Sequence, residues 1–484
     1  MIGTFVHSFQ FFNHPHMLTR TIFILSSFFL LTCCHRDMKK QGGLTAGTPN
    51  PLFTKNCSNC HGANAETFIQ REWKHGNSRL ELMRSIREGY PNEAAHAFGA
   101  TLKDNQILEL AMYIVTTMEQ QKAVAIAAAT PKANKFVTKD LTFHLDTIVA
   151  DQEAPWGMAF LPGGDLVFTE RPGTLWRVDA KRHKTAITGA PQVLDEGQGG
   201  LLDIAVHPKF AENHFIYLTY SKFRDSADVR LSTTAVYRAR LDNDQLKDGH
   251  DIFVALPYAT TRHHYGSRMA FDWDGYLFVT VGERGNQDGM PQFLDKGCGK
   301  VHRIFDDGRI PPDNPFVSTP GAVGSIWSYG HRNPQGLTVN PFSGEIWETE
   351  HGPRGGDELN WIQKGKNYGW PVVSYGTHYD GRSFTDNTQK AGIENPLTYW
   401  VPSIAPSGMA FINSDRYKGW KGDLLVGSLR FKYLTKVHLD GKKVISQEPL
   451  LQDLGRMRCV VLGPDGYIYV AIEGPGYVFR LVPE

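Results

Sequence analysis

The clearest chemistry in this sequence belongs to two cysteines and a histidine in the stretch KNCSNCHG. Cys57 and Cys60 are separated by two residues, and His61 follows directly. This C-x-x-C-H spacing is typical of c-type haem attachment, in which both thiols form thioethers and the histidine ligates the iron. We therefore predict a covalent haem c on Cys57 and Cys60, with His61 as its proximal ligand. A zinc-binding or redox-active cysteine pair is the alternative.

The N-terminal segment favours the haem interpretation. Arg20 precedes the short apolar run IFILSSFFLL, which ends near Cys33 and Cys34. Such a run is too short for a comfortable membrane span and is typical of an export signal. Haem c is attached outside the cytoplasm, so the two features agree. Residues 1–34 resemble a bacterial lipoprotein signal, which predicts a periplasmic or cell-surface protein with a lipid anchor on Cys33 or Cys34. A plain secretory signal or an uncleaved anchor is the alternative.

Helices are expected to surround the haem. Leu80, Met83 and Ile86 have helical apolar spacing, and LKDNQILELAMYIVTTM is an amphipathic helix for which Asp104 is the predicted N-cap. We place this all-α domain at residues 45–122. The segment that follows, EQQKAVAIAAATPKANK, is rich in Ala, Lys and Gln, and we predict a linker at residues 123–140.

The order of these elements resembles a small class I cytochrome c. That resemblance implies a sixth haem ligand, usually a methionine directly before an Ala-Phe-Gly sequence. In this chain Ala95 stands there and His96 follows. We therefore expect His96 as the distal ligand, with Met83 or a five-coordinate iron as alternatives. Two imidazoles would give a lower potential than a histidine and a thioether.

The remainder of the chain has a different pattern. From Leu141 onward, six segments such as PWGMAFLPGGDLVFTER and RCVVLGPDGYIYVAIEG each combine an apolar strand, a Pro/Asp/Gly turn and a second strand. Their spacing of roughly 45–75 residues suits four strands per repeat. We predict a mainly β fold, a six-bladed β-propeller over residues 141–484, in which LTFHLDTIVA joins the last blade. A large sandwich or barrel is the alternative.

Loops from different blades meet on one face of a propeller, so polar residues in equivalent loops are candidates for one site. Several of them are arginines without an obvious carboxylate partner, and buried guanidiniums require an anion. The expected ligand is a small molecule with several carboxylates. The candidates are Gln198, His264, Arg332, Asn333, Gly352, Pro353, Arg430, Arg456 and Arg458.

Composition limits the function classes. A net charge of +1 without a long Lys/Arg run argues against nucleic-acid binding, and a chain of 484 residues is expected to form two or three domains. After the signal and haem cysteines, Cys298 and Cys459 remain. We predict that they are separate buried thiols, although a disulfide between them is an alternative.

Long motifs in the second domain resemble one known family. WGMAF, GHRNPQGL, EHGPRGGDELN, NYGWPVVSYG and PSIAPSGMAF occur in the order found in the glucose/sorbosone dehydrogenase family, notably its soluble aldose sugar dehydrogenases. The resemblance implies a six-bladed propeller that uses pyrroloquinoline quinone and calcium to oxidise an aldose at C1 to its lactone. The quinone carries three carboxylates, which would account for the arginines.

The resemblance also assigns roles to the candidates. His264 matches the general base, and Arg332 matches a residue beside the reacting quinone carbonyl. The backbone carbonyls of Gly352 and Pro353 match the ligands of the catalytic calcium. The remaining matches are cofactor-binding positions, namely Gln198, Asn333, Arg430, Arg456 and Arg458. Glu358 and Tyr368 match a second, structural calcium region of some members.

Some residues depart from the family pattern. His263 precedes the base where glucose-specific members often have Asp, and Glu283 stands where Asp is usual. Glu283 is still expected to orient His264. His331 and His351 also lie in site loops, so a metal-dependent lactonase or other hydrolase is one alternative function. A non-catalytic binding propeller is another.

A haem fused to a sugar dehydrogenase implies an electron path within one chain. Electrons from the aldose would pass through the quinone to the haem. The haem would then pass them on to a periplasmic cytochrome or a terminal oxidase. Neither alternative function needs such an acceptor.

Overall fold

The structure is a computed structural model of the chain. It describes residues 50–61, 79–89, 97–128, 134–226, 229–285, 290–377 and 385–484. The predicted export signal and the predicted distal ligand His96 lie outside the described residues. Among the described residues, no helix has both the length and the apolar composition needed to cross a membrane.

The C-x-x-C-H motif lies in short helices. Cys57 alone separates helix α1 (Pro51–Asn56) from helix α2 (Ser58–His61). His61 N donates to Cys57 O at 3.0 Å. Residues four apart on a helix share a face, so Cys57 and His61 lie on the same side. The side chain of Cys60 lies outside the described part.

Two longer helices complete the described part of this domain. They are α3 (Arg79–Glu88) and α4 (Asp104–Ala128), with a single 3₁₀ turn, Phe98–Ala100, between them. A small apolar core holds α1, α3 and α4 together, and the partly buried Cys57 and Met83 pack against it. Its fully buried members are Phe53, Leu82, Leu110, Ala111, Tyr113 and Ile114.

The last helix differs from the prediction at both ends. Asp104 is its first helical residue rather than the N-cap, and its carboxylate pairs with Arg87 at 2.9 Å. The helix continues to Ala128 because the segment rich in alanine has high helix propensity. The predicted linker 123–140 is therefore partly helical, and strand β1 (Lys135–Val137) also lies within it.

Six antiparallel sheets form the blades of the propeller, as predicted. Each of the first five contains four strands that follow one another along the chain. Blade 1 contains β3 (Pro155–Phe160), β4 (Leu166–Glu170), β5 (Thr174–Val178) and β6 (Lys184–Ile187). Blade 2 contains β7 (Leu201–Val206), β8 (Phe215–Ser226), β9 (Val229–Asp242) and β10 (Gln245–Val254), with the short helix α5 (Phe210–Asn213) between β7 and β8.

The next three blades repeat this order. Blade 3 contains β11 (Met269–Phe271), β12 (Leu277–Val281), β13 (Lys300–Ile304) and β14 (Ile326–Tyr329). Blade 4 contains β15 (Pro334–Val339), β16 (Ile346–Glu350), β17 (Asp357–Ile362) and β18 (Thr398–Trp400). Blade 5 contains β19 (Pro406–Phe411), β20 (Leu424–Ser428), β21 (Leu434–Asp440) and β22 (Lys443–Leu450).

The last blade joins both ends of the propeller domain. It contains β23 (Arg456–Leu462), β24 (Ile468–Glu473) and β25 (Tyr477–Pro483), and β2 (Thr142–Val149) pairs antiparallel with β25. The predicted closure by LTFHLDTIVA is thus confirmed. Strand β1 adds a fifth, outermost strand to this blade. Pairing the two ends protects strand edges that would otherwise be open.

Candidate active site

The first strand of each blade is the innermost one, and it runs from one mouth of the central channel to the other. In blade 1, Trp156 near the start of β3 lines a cavity at one mouth, whereas Met158 and Phe160 line a second cavity at the opposite mouth. Two kinds of loop therefore surround the first cavity, namely the loop that leads into the first strand of a blade and the loop that follows its second strand. The volume of this cavity is about 770 Å³. We call it the site cavity.

Local irregularities shape the ends of these strands. In five of the six blades, the pairing of the innermost strand shifts register near its first residues. A β-bulge bends a strand and changes the direction of its side chains. Residues at these shifts, among them Trp156, Leu202, Gln335 and Arg458, line the site cavity.

The site cavity collects most of the predicted residues. Six arginines line it, namely Arg171, Arg332, Arg354, Arg430, Arg456 and Arg458. Gln198, His264, Gly352 and Pro353 also line it. Asn333 is the exception among the candidates, because it lies behind the wall with its side-chain oxygen accepting from Gly266 N at 3.1 Å.

Two hydrogen bonds hold His264 in place. Its φ of +56° is unusual for a residue with a side chain, and its backbone N donates to the side-chain oxygen of Gln198 at 2.8 Å. Its Nδ1 lies 2.8 Å from Glu283 Oε2, which also accepts from Gly285 N at 2.6 Å. These contacts fix the backbone and the ring of His264 together.

Glu283 determines the tautomer of this histidine. The carboxyl group is 1% exposed, and burial alone would raise its pKa. The charges of His264 and Arg332 and the Gly285 N–H outweigh burial, and the pKa of Glu283 lies below its usual value. An ionised carboxylate only accepts hydrogen bonds, so the proton resides on Nδ1 and Nε2 is the basic nitrogen. The predicted orienting role of Glu283 fits this geometry.

Arg332 lies between His264 and the Gly352 loop. Its backbone N donates to Glu350 Oε2 at 2.5 Å, and its guanidinium donates to the carbonyls of Gly352 at 2.7 Å and His351 at 3.2 Å. Within the described residues, Arg332 Nε and Asn333 Nδ2 are buried donors without a hydrogen-bond partner. Each of these donors remains available to an acceptor that the protein itself does not supply.

The arginines of blade 6 share one carboxylate that the sequence did not reveal. Glu473 Oε2 lies 2.6 Å from Arg458 and 3.6 Å from Arg456. Burial opposes its ionisation, but the positive charges of Arg458, Arg456 and Arg171 hold the pKa of Glu473 far below its usual value. Six arginines and one lining carboxylate leave the site cavity strongly positive.

The loop that contains Gly352 and Pro353 is held by another carboxylate. Asp357 Oδ1 accepts from Gly352 N at 2.9 Å, and Oδ2 accepts from Ser403 Oγ and Ala405 N at 2.7 and 2.8 Å. Burial raises the pKa of Asp357 to about 6. A methyl group on Gly352 would lie 2.3 Å from Gly355 O, so the loop is too tight for any other residue there.

The histidines do not form the trio that a metal hydrolase would need. His351 lines the site cavity and its Nε2 donates to Pro406 O at 2.7 Å, whereas burial lowers its pKa to about 3. His331 is buried, with its Nδ1 3.1 Å from Glu350 and its Nε2 2.8 Å from Ser328. Thus His264, His351 and His331 bond to different partners.

A separate acidic group lies inside blade 4. The ligand atoms of His331, Glu348 and Glu350 all lie within 4.8 Å of one another, a grouping that could hold a cation. Asn360 Nδ2 donates to Glu348, Glu350 and Glu358 at 3.2 to 3.4 Å. Burial raises the pKa of Glu348 and Glu358, and their neighbour Glu350 raises both further.

Three residues that shape the site were not among those predicted from the sequence. Glu473 ends β24, Arg171 follows β4, and Asp357 begins β17, so each occupies the same end of its blade as the predicted residues. Their positions at the ends of predicted strands could have identified them as candidates for the site. Cys298 and Cys459 are separate buried thiols, as predicted.

Comparison with known proteins decides the family. The family model "Glucose / Sorbosone dehydrogenase" matches residues 152–480. The chain belongs to the glucose/sorbosone dehydrogenase family. A second model, "Cytochrome C oxidase, cbb3-type, subunit III", matches residues 45–114, which confirms a cytochrome c domain ahead of the propeller.

Individual relatives agree with this assignment. The aldose sugar dehydrogenase YliI of Escherichia coli (strain K12) is 42% identical over 351 residues, which are 71% of this chain and 94% of the relative. The soluble aldose sugar dehydrogenase structure from Escherichia coli in the apo-form has a TM-score of 0.68 and 39% identity, over 71% of this chain and all (100%) of that one.

A ligand-bound relative is also similar. The structure of the PQQ-bound form of aldose sugar dehydrogenase from Streptomyces coelicolor has a TM-score of 0.57 and 30% identity, over 71% of this chain and 98% of that one. Together these matches confirm the prediction of an enzyme of the quinoprotein sugar dehydrogenase class.

Proposed function

We propose that this member of the family oxidises aldose sugars at C1 to lactones, with pyrroloquinoline quinone and calcium in the site cavity and haem c as the internal electron acceptor. The observation that carries the proposal is the oriented pair of His264 and Glu283 at the wall of a cavity lined by six arginines. A general base and an excess of positive charge around one cavity suit a polyanionic redox cofactor and a hydroxyl substrate.

The residues present fit the quinone. Arg430, Arg456 and Arg458 would pair with its carboxylates, because planar guanidiniums match carboxylates bidentately. The unpartnered buried Nε of Arg332, which lines the site cavity, is a donor suited to a carbonyl oxygen of the cofactor. Asn333 lies behind the wall and would support the site through Gly266. When bound, pyrroloquinoline quinone accepts the hydride from the sugar carbon.

The Gly352 loop fits calcium. Backbone carbonyls are typical ligands of this hard cation, and Asp357 holds the loop from behind through the Gly352 N–H. Bound calcium acts as a Lewis acid on a cofactor carbonyl. Glu358 matches the second, structural calcium region that the family resemblance implies, and it shares the Asn360 amide with Glu348 and Glu350, which are buried. Carboxylates that lie this close together away from water need compensating charge, which a calcium ion would supply.

The protein itself removes the substrate proton. His264 Nε2 takes the proton of the sugar C1 hydroxyl, because Glu283 keeps the hydrogen of the ring on Nδ1. Glu283 then stabilises the positively charged ring that results. Gln198 keeps the backbone of His264 in its left-handed conformation, so the base does not need to reorganise during the reaction.

The haem would serve as the electron acceptor within the chain. Cys57 and Cys60 would hold it covalently, His61 would ligate its iron, and His96 remains the proposed distal ligand with Met83 as the alternative. Bound haem c takes up electrons one at a time. We further propose export to the periplasm or outer cell surface through the lipoprotein-like signal, and delivery of the electrons to a periplasmic cytochrome or oxidase.

One pair of variants tests this function. In His264→Ala, sugar oxidation by the protein loaded with quinone and calcium should fall at least 100-fold, while quinone binding, measured by absorbance titration, should persist. His438→Ala is the matched control. Its Nδ1 also lies 2.8 Å from a carboxylate, that of Asp423, but His438 is not among the residues that line the site cavity. Near-normal turnover of His264→Ala would remove His264 as the base.

A further inference from the structure

A buried arginine crosses the channel below the site cavity. Arg268 directly precedes β11 and is 3% exposed. Its guanidinium donates to the carbonyls of Gln335 at 2.8 Å and Arg458 at 2.6 Å, and to Asp203 Oδ1 at 3.0 Å. It also lies 4.0 Å above the ring of Trp156. One side chain from blade 3 thus contacts blades 1, 2, 4 and 6.

Arg268 and Asp203 separate two cavities. Trp156, Gln335 and Arg458 line the site cavity on one side of the guanidinium. Asp203 and Arg268 line the second cavity, of about 900 Å³, at the opposite mouth of the channel. The contacts of Arg268 reach residues on both sides, so the ion pair lies where the channel would otherwise be continuous.

The same contacts connect Arg268 to the site. Arg458 donates to the Gln335 side-chain oxygen at 3.1 Å, and Gln335 Nε2 donates to Gly266 O at 3.0 Å. Gly266 N in turn donates to Asn333. These bonds form a layer beneath the site cavity, and Arg268 holds that layer through the two carbonyls of Gln335 and Arg458.

We propose that Arg268, paired with Asp203, is a septum that closes the channel beneath the cofactor and a positioning residue for Arg458 and Gln335. Asp203 balances its charge, so the septum adds little net charge to the site cavity. The septum itself follows from contacts within the protein. Its effect on cofactor affinity rests on the proposed function.

Cys459 provides a probe of the septum that is independent of activity. Its thiol is 3.6 Å from Arg268 NH1 and 3% exposed, and it lines the second cavity. In the wild type, N-ethylmaleimide can approach Cys459 only through the second cavity, whereas in Arg268→Ala it should also reach Cys459 from the site cavity. We expect the labelling rate, located by peptide mass spectrometry, to rise at least tenfold. Added quinone and calcium should slow the labelling of this variant.

Arg303→Ala is the matched control. Arg303 is 6% exposed, pairs with Asp313 at 2.9 Å and lies 3.6 Å above the Tyr276 ring, but it lines neither the site cavity nor the second cavity. Removing a buried guanidinium from its carboxylate destabilises the fold in both variants. Labelling of Cys459 that is unchanged in Arg268→Ala, or equally raised in Arg303→Ala, would overturn the septum.

Cofactor affinity tests the positioning role. The dissociation constant for pyrroloquinoline quinone should rise at least tenfold in Arg268→Lys and stay within twofold in Arg303→Lys. Unchanged affinity of Arg268→Lys would overturn the positioning role. Arg268→Lys should also label Cys459 faster than the wild type, which covers the case in which Arg268→Ala does not fold. If the wild type binds no quinone, the proposed function fails, whereas the labelling result still decides the septum.

Discussion

Replacing Glu283 by glutamine tests the chemistry of the base most selectively. The substitution keeps the size of the side chain but removes the charge that faces His264 Nδ1 at 2.8 Å. Both groups are nearly buried, so water cannot replace the lost interaction. The Gly285 N–H still finds an amide oxygen, and the backbone of the loop should remain in place.

The expected magnitude follows from the type of bond. A hydrogen bond to a charged group contributes about 1.5–3 kcal/mol, which corresponds to a factor of roughly 10 to 150 in rate. The protonated ring of His264 loses this stabilisation in the transition state. We therefore expect kcat of Glu283→Gln to fall by about 10- to 150-fold. The charged ring becomes harder to form, so the acid limb of the pH–rate profile should move to lower pH.

The rate at which sugar reduces the bound quinone, followed by stopped-flow absorbance of the protein loaded with quinone and calcium, measures this step directly. Glu394→Gln is the control, because Glu394 forms an ion pair with Lys366 at 2.7 Å and does not line the site cavity. Its rate should match the wild type. A Glu283→Gln variant with an unchanged rate and an unchanged pH profile would refute the orienting role.

Two further predictions concern cofactor binding. The double variant Arg456→Ala/Arg458→Ala loses two charged partners of the quinone and leaves the Glu473 carboxylate without compensating charge. The dissociation constant for the quinone, measured by absorbance titration, should therefore rise roughly 100-fold or more. An unchanged value would exclude both arginines from the site. Gly352→Ala would place a methyl group 2.3 Å from Gly355 O, so the activity recovered on addition of quinone and calcium should fall at least tenfold. The control Gly163→Ala adds a methyl group that meets nothing within 4 Å, and its activity should be recovered normally.

The sequence predicted the propeller because its turns and alternating strands are local features. The repeats set the number of blades, and the end of each strand then placed His264, Arg332 and the arginines on one face. Local patterns also predicted α3 and α4, but not where α4 ends. The alanine-rich segment was interpreted as a linker, although alanine is the best helix former.

Pairs formed between distant residues could not be predicted. Arg456 is the register partner of Glu473, and the shift between Met457 and Cys459 leaves Arg458 without a register partner and brings it beside the same carboxylate. Such a shift has no mark in the sequence. Asp357 was hidden in the same way, since its bonds to Gly352, Ser403 and Ala405 depend on how two blades pack.

We propose that sugar oxidation and haem reduction occur within one chain. The direct test is an anaerobic absorbance trace of the oxidised protein with haem attached, to which calcium, an aldose mixture and pyrroloquinoline quinone are added in turn. We expect the haem to be reduced only when quinone and sugar are both present. The rate should not change when the protein is diluted tenfold, because the transfer is intramolecular.

Two results would contradict this internal coupling of sugar oxidation to haem reduction. If the haem stays oxidised while a soluble dye is reduced, the dehydrogenase stands but its internal electron path does not. If neither the haem nor the dye is reduced, the site cavity does not support sugar oxidation under these conditions, and the assignment of His264 and the arginines to that reaction is wrong.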